Sequence, residues 1–440
     1  TNSRLCMSSA VAGYKQTLGA DAPPCSYEDI LLAKLIFIAG ANPAVAHPIV
    51  FRYIEDAKAA NPELKIIVAD PRFSESAEIA DLHLALKPGS DIALFNGMLR
   101  VLIDEGLVDR SYVEAHTTGF SALAEIAKAY PPAMVAGICG IAEQDIVQAA
   151  RWFGRSGAAL SLYCQGLNQS AHGTHNNAGI IHLHLATGQI GKPGAGPFSL
   201  TGQPNAMGGR EVGGLSNLMS AHRDLANPEH RAELAQFWGV PFVPSKPGKS
   251  AVDLFKSLKT GEIKAVWIAC TNPAQSLPNQ AAVREALAAA EYVVLQEAYG
   301  NTDTAAYADL LLPASGWGEK FGTVTNSERC ITRVMSAVDA PGEARHDWEI
   351  VVDFARRLGR NLGNDGTATL FPYADAEAIF NEHRETTRGR DLDITGLSYA
   401  LLEADGPQQW PYPEGAAAGK RRLYEDGRFP TADGKARFVP

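Results

Sequence analysis

Leu35-Ile-Phe-Ile-Ala-Gly-Ala-Asn-Pro43 and Ala265-Val-Trp-Ile-Ala-Cys-Thr-Asn-Pro273 follow one plan: five apolar residues, a turn, then an Asn-Pro pair opening a predicted helix. A second apolar run comes after each, Lys65-Ile-Ile-Val-Ala-Asp70 and Tyr292-Val-Val-Leu-Gln296, and an Ala-Asp-Leu triplet follows at 80–82 and 308–310. Asn42 is separated from Asn272, Asp70 from Glu297, and one triplet from the other by nearly the same stretch of chain. Such constancy marks an internal duplication; chance recurrence of common α/β motifs is the alternative.

Strand–turn–helix–strand units imply parallel sheets covered by helices. Ligands of such sheets sit beyond the carboxyl ends of the strands, near helix N-termini that favour phosphate. Asn42 and Asn272 lie in those turns. Asp70 and Glu297 end the next strands, where an acidic residue commonly binds ribose hydroxyls. Two related halves therefore imply two nucleotide-like ligands. Neither half has a G-x-G-x-x-G loop, which removes support for ordinary NAD or FAD binding. The fold expected is α/β, with two related Rossmann-like three-layer domains of mostly parallel strands and a partial C-terminal segment. The divisions are residues 1–198, 199–345 and 346–440.

Between the halves, residues 188–214 are dense in glycine yet carry Gln203, Asn205, Arg210 and Glu211. That composition suits backbone in close approach to a ligand, with a domain connector as the alternative. His182 and His184, two apart on a predicted helix, fall on different faces, and His172 and His175 lack a third partner. Structural histidines are the expectation.

The 440 residues are 46% apolar and 20% charged, with a net charge of −10. This is the balance of a globular protein, and it offers no basic stripe for nucleic acid. An anion site must then carry its own local positive charge. No apolar run is long enough to suggest a membrane span. The six cysteines (6, 25, 139, 164, 270 and 330) form no C-x-x-C pair, so neither a zinc site nor an iron–sulfur cluster is expected within this segment. Apart from Cys6, they read as reduced, mostly buried thiols. The first residues resemble neither a signal peptide nor a start, and the last ones the entrance to another element, which suggests a chain cut from something longer.

Two long motifs now carry a resemblance. Asn2-Ser-Arg-Leu-Cys-Met-Ser-Ser-Ala-Val-Ala-Gly-Tyr14 and Gly196-Pro-Phe-Ser-Leu-Thr-Gly-Gln-Pro-Asn-Ala-Met-Gly-Gly-Arg-Glu-Val-Gly-Gly214 resemble signatures of the molybdopterin oxidoreductases, specifically the prokaryotic assimilatory nitrate reductases. The resemblance extends over essentially the whole chain. It implies molybdenum held by two molybdopterin guanine dinucleotides, one per half, with Cys6 as the protein ligand and Asn2 a pterin contact. Gly40, Asn42, Asp70, Arg72, Gly89, Ser90 and Asp91 would meet the first nucleotide. Gln165, Gln169 and Gln203 would lie near the pterins, and Asn272, Gln296, Glu297, Lys320 and Asp347 would serve the second half. A [4Fe–4S] cluster belongs to the parent's missing N-terminal part, and a further β-rich domain to its C-terminal part.

The implied activity is cytoplasmic nitrate reduction, with ferredoxin, flavodoxin or a nicotinamide-dependent reductase as electron donor. A thiolate suits the metal as a soft donor that stays bound through redox change. Arg210 offers a planar fork to the trigonal anion, a salt bridge with Glu211 or a pterin contact being its alternatives. Met7 would shape the pocket or simply pack. Lys320 would face a pyrophosphate-bearing ligand or pair with Glu319. The rivals are a formate dehydrogenase, which usually has His where Met7 stands, and a cofactor-free relay or scaffold subunit.

Overall fold

The structure, a computed structural model, describes residues 2–363 and 370–440, with side chains from Cys6 onward. The first sheet contains β1 Leu35–Ala39, β2 Lys65–Ala69, β3 Leu82–Leu84, β4 Ala159–Tyr163 and β5 Gly196–Ser199. Their order is β3-β2-β1-β4-β5, and every pairing is parallel. Helices α1 Asn2–Leu18, α2 Pro48–Ala60, α3 Asp91–Asp104, α4 Glu143–Arg155 and α5 Gly173–Ala186 cover it.

Alternation along β1 explains the layering. Leu35, Phe37 and Ala39 enter a core shared with α1, α3, α4 and α5, whereas Ile36 and Ile38 enter another shared with α2. Both faces are buried, which is why the strand reads as unbroken apolar sequence. Full burial of one such Phe or Ile stabilises by roughly 1.5–3 kcal/mol. On α2, Val50, Phe51, Ile54 and Ala57 recur at helical spacing on the buried face.

The glycine-rich stretch then forms the short helix α6 Ala206–Glu211. A second parallel sheet follows, β6 Ala265–Ala269, β7 Tyr292–Glu297 and β8 Leu310–Pro313, in the order β8-β7-β6. This repeats the order of β3-β2-β1. One face packs on α7 Ala251–Lys259 and α8 Gln280–Ala289 through Ile268, Val293, Leu295, Leu258, Val283 and Leu287.

The repeat extends to single hydrogen bonds. Gly40 N donates to Ala69 O at 3.0 Å, and Cys270 N donates to Gln296 O at 3.2 Å. Both turn residues are left-handed, φ +56 and +59. Asp81 accepts from Ile66 N at 2.8 Å as Asp309 accepts from Val293 N at 2.7 Å.

The packing changes elsewhere than at the expected division between 345 and 346. Helix α9 Asp347–Asn361 belongs to the second sheet, because Phe354 stacks edge-on against Trp267 of β6 at 4.9 Å. The chain after residue 370 packs on both halves. Phe380, Leu392, Leu397 and Trp410 share a core with Ala20, Ala22, Met207, Ala221 and Ile331, Gln408–Gln409 pairs with Cys330–Ile331, and Ala436–Arg437 pairs with Thr117–Thr118. The first helix of the 346–440 segment thus packs on the second sheet, and the rest of the segment supplies most of the core it shares with both halves.

Candidate active site

Cys6 lies on α1 with its sulfur partly exposed. Two amides meet it at the carboxyl end of the first sheet. Gln165, just beyond β4, donates Nε2 to Cys6 Sγ at 2.8 Å, and Gln203, beyond β5, does so at 3.4 Å. The Oε1 atoms of both glutamines are buried and without a hydrogen-bond partner. A sulfur held by donors, beside two unused acceptors, fits a soft metal with a polar cofactor around it.

Met7 is wholly buried, with Gln165 Nε2 3.3 Å and Asn168 Nδ2 3.5 Å from its sulfur. It packs against the glutamine amide, one residue from the Cys6 sulfur. Gln169 is exposed at the end of the same turn. The side chain of Asn2 lies outside the described residues.

Arg210 is 2% exposed, and its Nε lies 2.7 Å from Asp21 Oδ2. The contact lacks hydrogen-bond alignment, so it is a charge contact with Arg210 Nη1 still unpartnered. Asp21 thereby neutralises much of its charge. Glu211, the alternative partner, instead accepts from Thr325 Oγ1 at 2.9 Å and Trp410 Nε1 at 2.5 Å. Sequence reasoning misses Asp21, Trp410 and Thr325, because nothing local links them to 203–211.

In the first half, Asn42 Nδ2 donates to Glu75 at 2.8 Å, Asp70 accepts from the Arg72 amide at 2.9 Å, and Arg72 is exposed. Gly89 is left-handed at φ +82, so its turn needs glycine. Ser90 Oγ donates to Lys87 O at 2.6 Å, and Asp91 opens α3. Burial, with Asp70 nearby, raises the Asp91 carboxyl above its ordinary range.

In the second half, Asp347 accepts from Lys320 Nζ at 2.6 Å and Gln296 Nε2 at 2.8 Å. Burial works against its charge, yet these two donors hold Asp347 below the ordinary carboxylate range. Lys320 thus pairs with Asp347 rather than Glu319, whose carboxylate accepts from Gly316 N at 2.6 Å. Glu297 caps the next amide, Ala298 N, at 2.8 Å, and Gln296 Oε1 is buried without a partner. Cys270 is exposed here, a departure from the expected buried thiols; partial burial and Asp347 push its thiol up to about 11.

The histidines are engaged in packing. His184 Nε2 is 2.7 Å from Ser161 Oγ, His182 Nε2 accepts from Val439 N at 3.1 Å, and burial lowers both rings to about 3. His172 and His175 stack at 6.4 Å.

A molybdopterin oxidoreductase profile matches residues 1–357. The chain belongs to the molybdopterin oxidoreductase family. It is similar to a nitrate reductase of Synechocystis sp. (strain ATCC 27184 / PCC 6803 / Kazusa), 44% identical, over 100% of this chain and 61% of that protein. The assimilatory nitrate reductase catalytic subunit of Bacillus subtilis (strain 168) is 37% identical, over 99% and 60%. The chain thus spans about three-fifths of the length of these relatives. In structure it resembles acetylene hydratase from Pelobacter acetylenicus, TM-score 0.74 at 22% identity, covering 99% of this chain and 59% of that one, a likeness of fold alone. Among the described residues of this molybdopterin oxidoreductase chain, no helix is long and apolar enough to cross a membrane.

Proposed function

We propose that this chain is part of an assimilatory enzyme that reduces nitrate to nitrite at molybdenum held by two molybdopterin guanine dinucleotides. One observation carries the reading: the Cys6 thiol is flanked by the Gln165 and Gln203 amides, in a chain 44% identical to a nitrate reductase. When bound, the metal cofactor supplies two-electron oxygen-atom transfer, in which nitrate, two protons and two electrons give nitrite and water.

The chain's own residues do the holding. Cys6 is the ligand, and the two amide N–H groups stabilise negative charge on its sulfur. Arg210 orients the anion through its unpartnered Nη1, with Asp21 fixing the guanidinium plane. Gly40, Asn42, Asp70, Arg72 and Gly89–Asp91 hold the first dinucleotide. Asn272, Gln296, Glu297, Lys320 and Asp347 hold the second, and Asn2 and Gln169 meet the pterins. A [4Fe–4S] centre of the full-length protein would supply the electrons, with ferredoxin, flavodoxin or a nicotinamide-dependent reductase as donor, in the cytoplasm.

The test is a dye-linked assay of the full-length protein with nitrate and with formate. Nitrate-dependent oxidation of a reduced viologen is expected. Formate oxidation without nitrate reduction would assign the chain to the formate dehydrogenases instead, and absence of molybdenum under replete conditions would make it a relay subunit.

A further inference from the structure

A buried cluster of acids and bases backs the 203–211 segment, and the reaction above leaves it unused. Ala221 and His222 both adopt left-handed backbone, φ +58 and +56, although neither is glycine. Such strain persists only where surrounding packing dictates it. Here the turn sends His222 inward, where its Nδ1 lies 2.7 Å from Asp391 Oδ2 while its Nε2 has no hydrogen-bond partner. Its ring meets Trp410 edge-on at 5.9 Å.

From Trp410 a chain of contacts reaches the thiol. Trp410 Nε1 donates to Glu211 at 2.5 Å, and Thr325 Oγ1 donates to the other Glu211 oxygen at 2.9 Å. Thr325 N donates to Asn205 Oδ1 at 2.9 Å. Asn205 stands two residues from Gln203, whose amide is 3.4 Å from Cys6 Sγ.

The groups that face His222 are Asp391, His383, Glu211 and Asp21, while Arg390 and Tyr424 face Asp391. Three acids, Asp21, Glu211 and Asp391, thus face three cations, Arg210, Arg390 and protonated His222. Charge balances when His222 holds its proton and the three acids are ionised. Burial raises the Glu211 carboxyl while Trp410, Thr325 and the charge on His222 lower it, so its charge state answers to the His222 proton. Burial opposes charge on His222, but Asp391 lifts the ring above its ordinary range. His383 falls to about 4 through burial and stays neutral. Asp391 also lines a cavity of about 340 Å³ with Lys420 and Arg422, through which protons can exchange.

We propose that His222, held by Asp391, is a positioning residue whose protonated ring sets the charge state of Glu211 and thereby the placement of the 203–211 segment at Cys6. Only the kinetic part of its test rests on the nitrate-reducing function. The experiment is a pH titration of full-length protein by NMR, following the His222 imidazole nitrogens and the Trp410 indole N–H, beside the pH profile of nitrate turnover. His222 should titrate above 6.5, with the Trp410 resonance and an alkaline fall in kcat following it. Asp391→Asn should move all three transitions down by about 1–3 pH units, since an opposing charge is removed. His222→Gln should abolish the transition and lower kcat with KM nearly unchanged. Titration of His222 below 6.5, a Trp410 resonance that ignores it, or transitions unmoved in Asp391→Asn would overturn the proposal. If no nitrate turns over while both resonances move together, the function above fails and this coupling stands.

Discussion

Asn42 and Asn272 hold their loops with the same hydrogen bonds, although they stand in opposite halves of the duplicated sequence. Asn42 Oδ1 accepts from Ser76 Oγ at 2.7 Å, and that hydroxyl accepts from Ala44 N at 3.0 Å. Asn272 Oδ1 accepts from Thr304 Oγ1 at 2.6 Å, which accepts from Ala274 N at 3.2 Å. Each side chain thereby pins the turn after the first strand of its half to the short 3-10 turn beyond the second.

Asn42→Ala and Asn272→Ala should therefore have matching effects. Each loses hydrogen bonds worth about 1 kcal/mol apiece, so a loss of roughly 1–2 kcal/mol is expected in urea unfolding. Both variants of the full-length protein should also retain less guanine nucleotide and molybdenum. A deficit confined to one variant would show that the two loops are not functional equivalents.

The Arg210–Asp21 contact calls for a double-mutant cycle. Asp21→Asn or Arg210→Met alone strands a buried charge and should cost about 3–5 kcal/mol. The double variant should cost clearly less than the two single costs together, because no charge is then stranded. Additive costs would mean that the pair does not interact. Separately, Arg210→Lys keeps the charge but loses the fork, and should raise KM for nitrate more than it lowers kcat. An unchanged KM would leave Arg210 with a structural role only.

Acid should unfold the protein earlier than its carboxylates alone require. Burial holds His182 and His184 near 3 and His383 near 4, below the 6.5 of an exposed ring. Below pH 6.5 the unfolded chain takes up protons that these folded rings refuse. Their contribution is thus intact above pH 6.5 and is lost as pH falls toward the folded values, by roughly 1.4 kcal/mol per unit and ring. Urea midpoints at pH 7 and 5 should differ accordingly, and His184→Gln should flatten the slope. Equal midpoints would contradict buried neutral rings.

Much of the fold is legible in the sequence because both faces of β1 and β2 are buried, which makes short parallel strands visible as apolar runs. The duplication is legible because the turn and strand-end residues recur at nearly constant offsets. The state of Arg210 is hidden for the opposite reason. Its partner Asp21 lies far away, in the first turn after α1, and carries no periodic signal. The Glu211–Trp410 bond joins equally distant parts of the chain and is just as silent. Helix α9 reads as the start of a new segment because its contact with Trp267 is tertiary. Gln165 and Gln203 read as cofactor contacts, but their meeting on one sulfur needs the third dimension.

The most direct test compares full-length protein with its Cys6→Ser variant for nitrate turnover and bound molybdenum. Cys6 touches two glutamine amides rather than an apolar core, so the variant should fold normally by circular dichroism. Its turnover is expected to drop by about 100-fold or more, since a hard hydroxyl replaces the soft thiolate. Near-normal nitrate reduction with full molybdenum in that variant would contradict the assignment of Cys6 as the metal ligand.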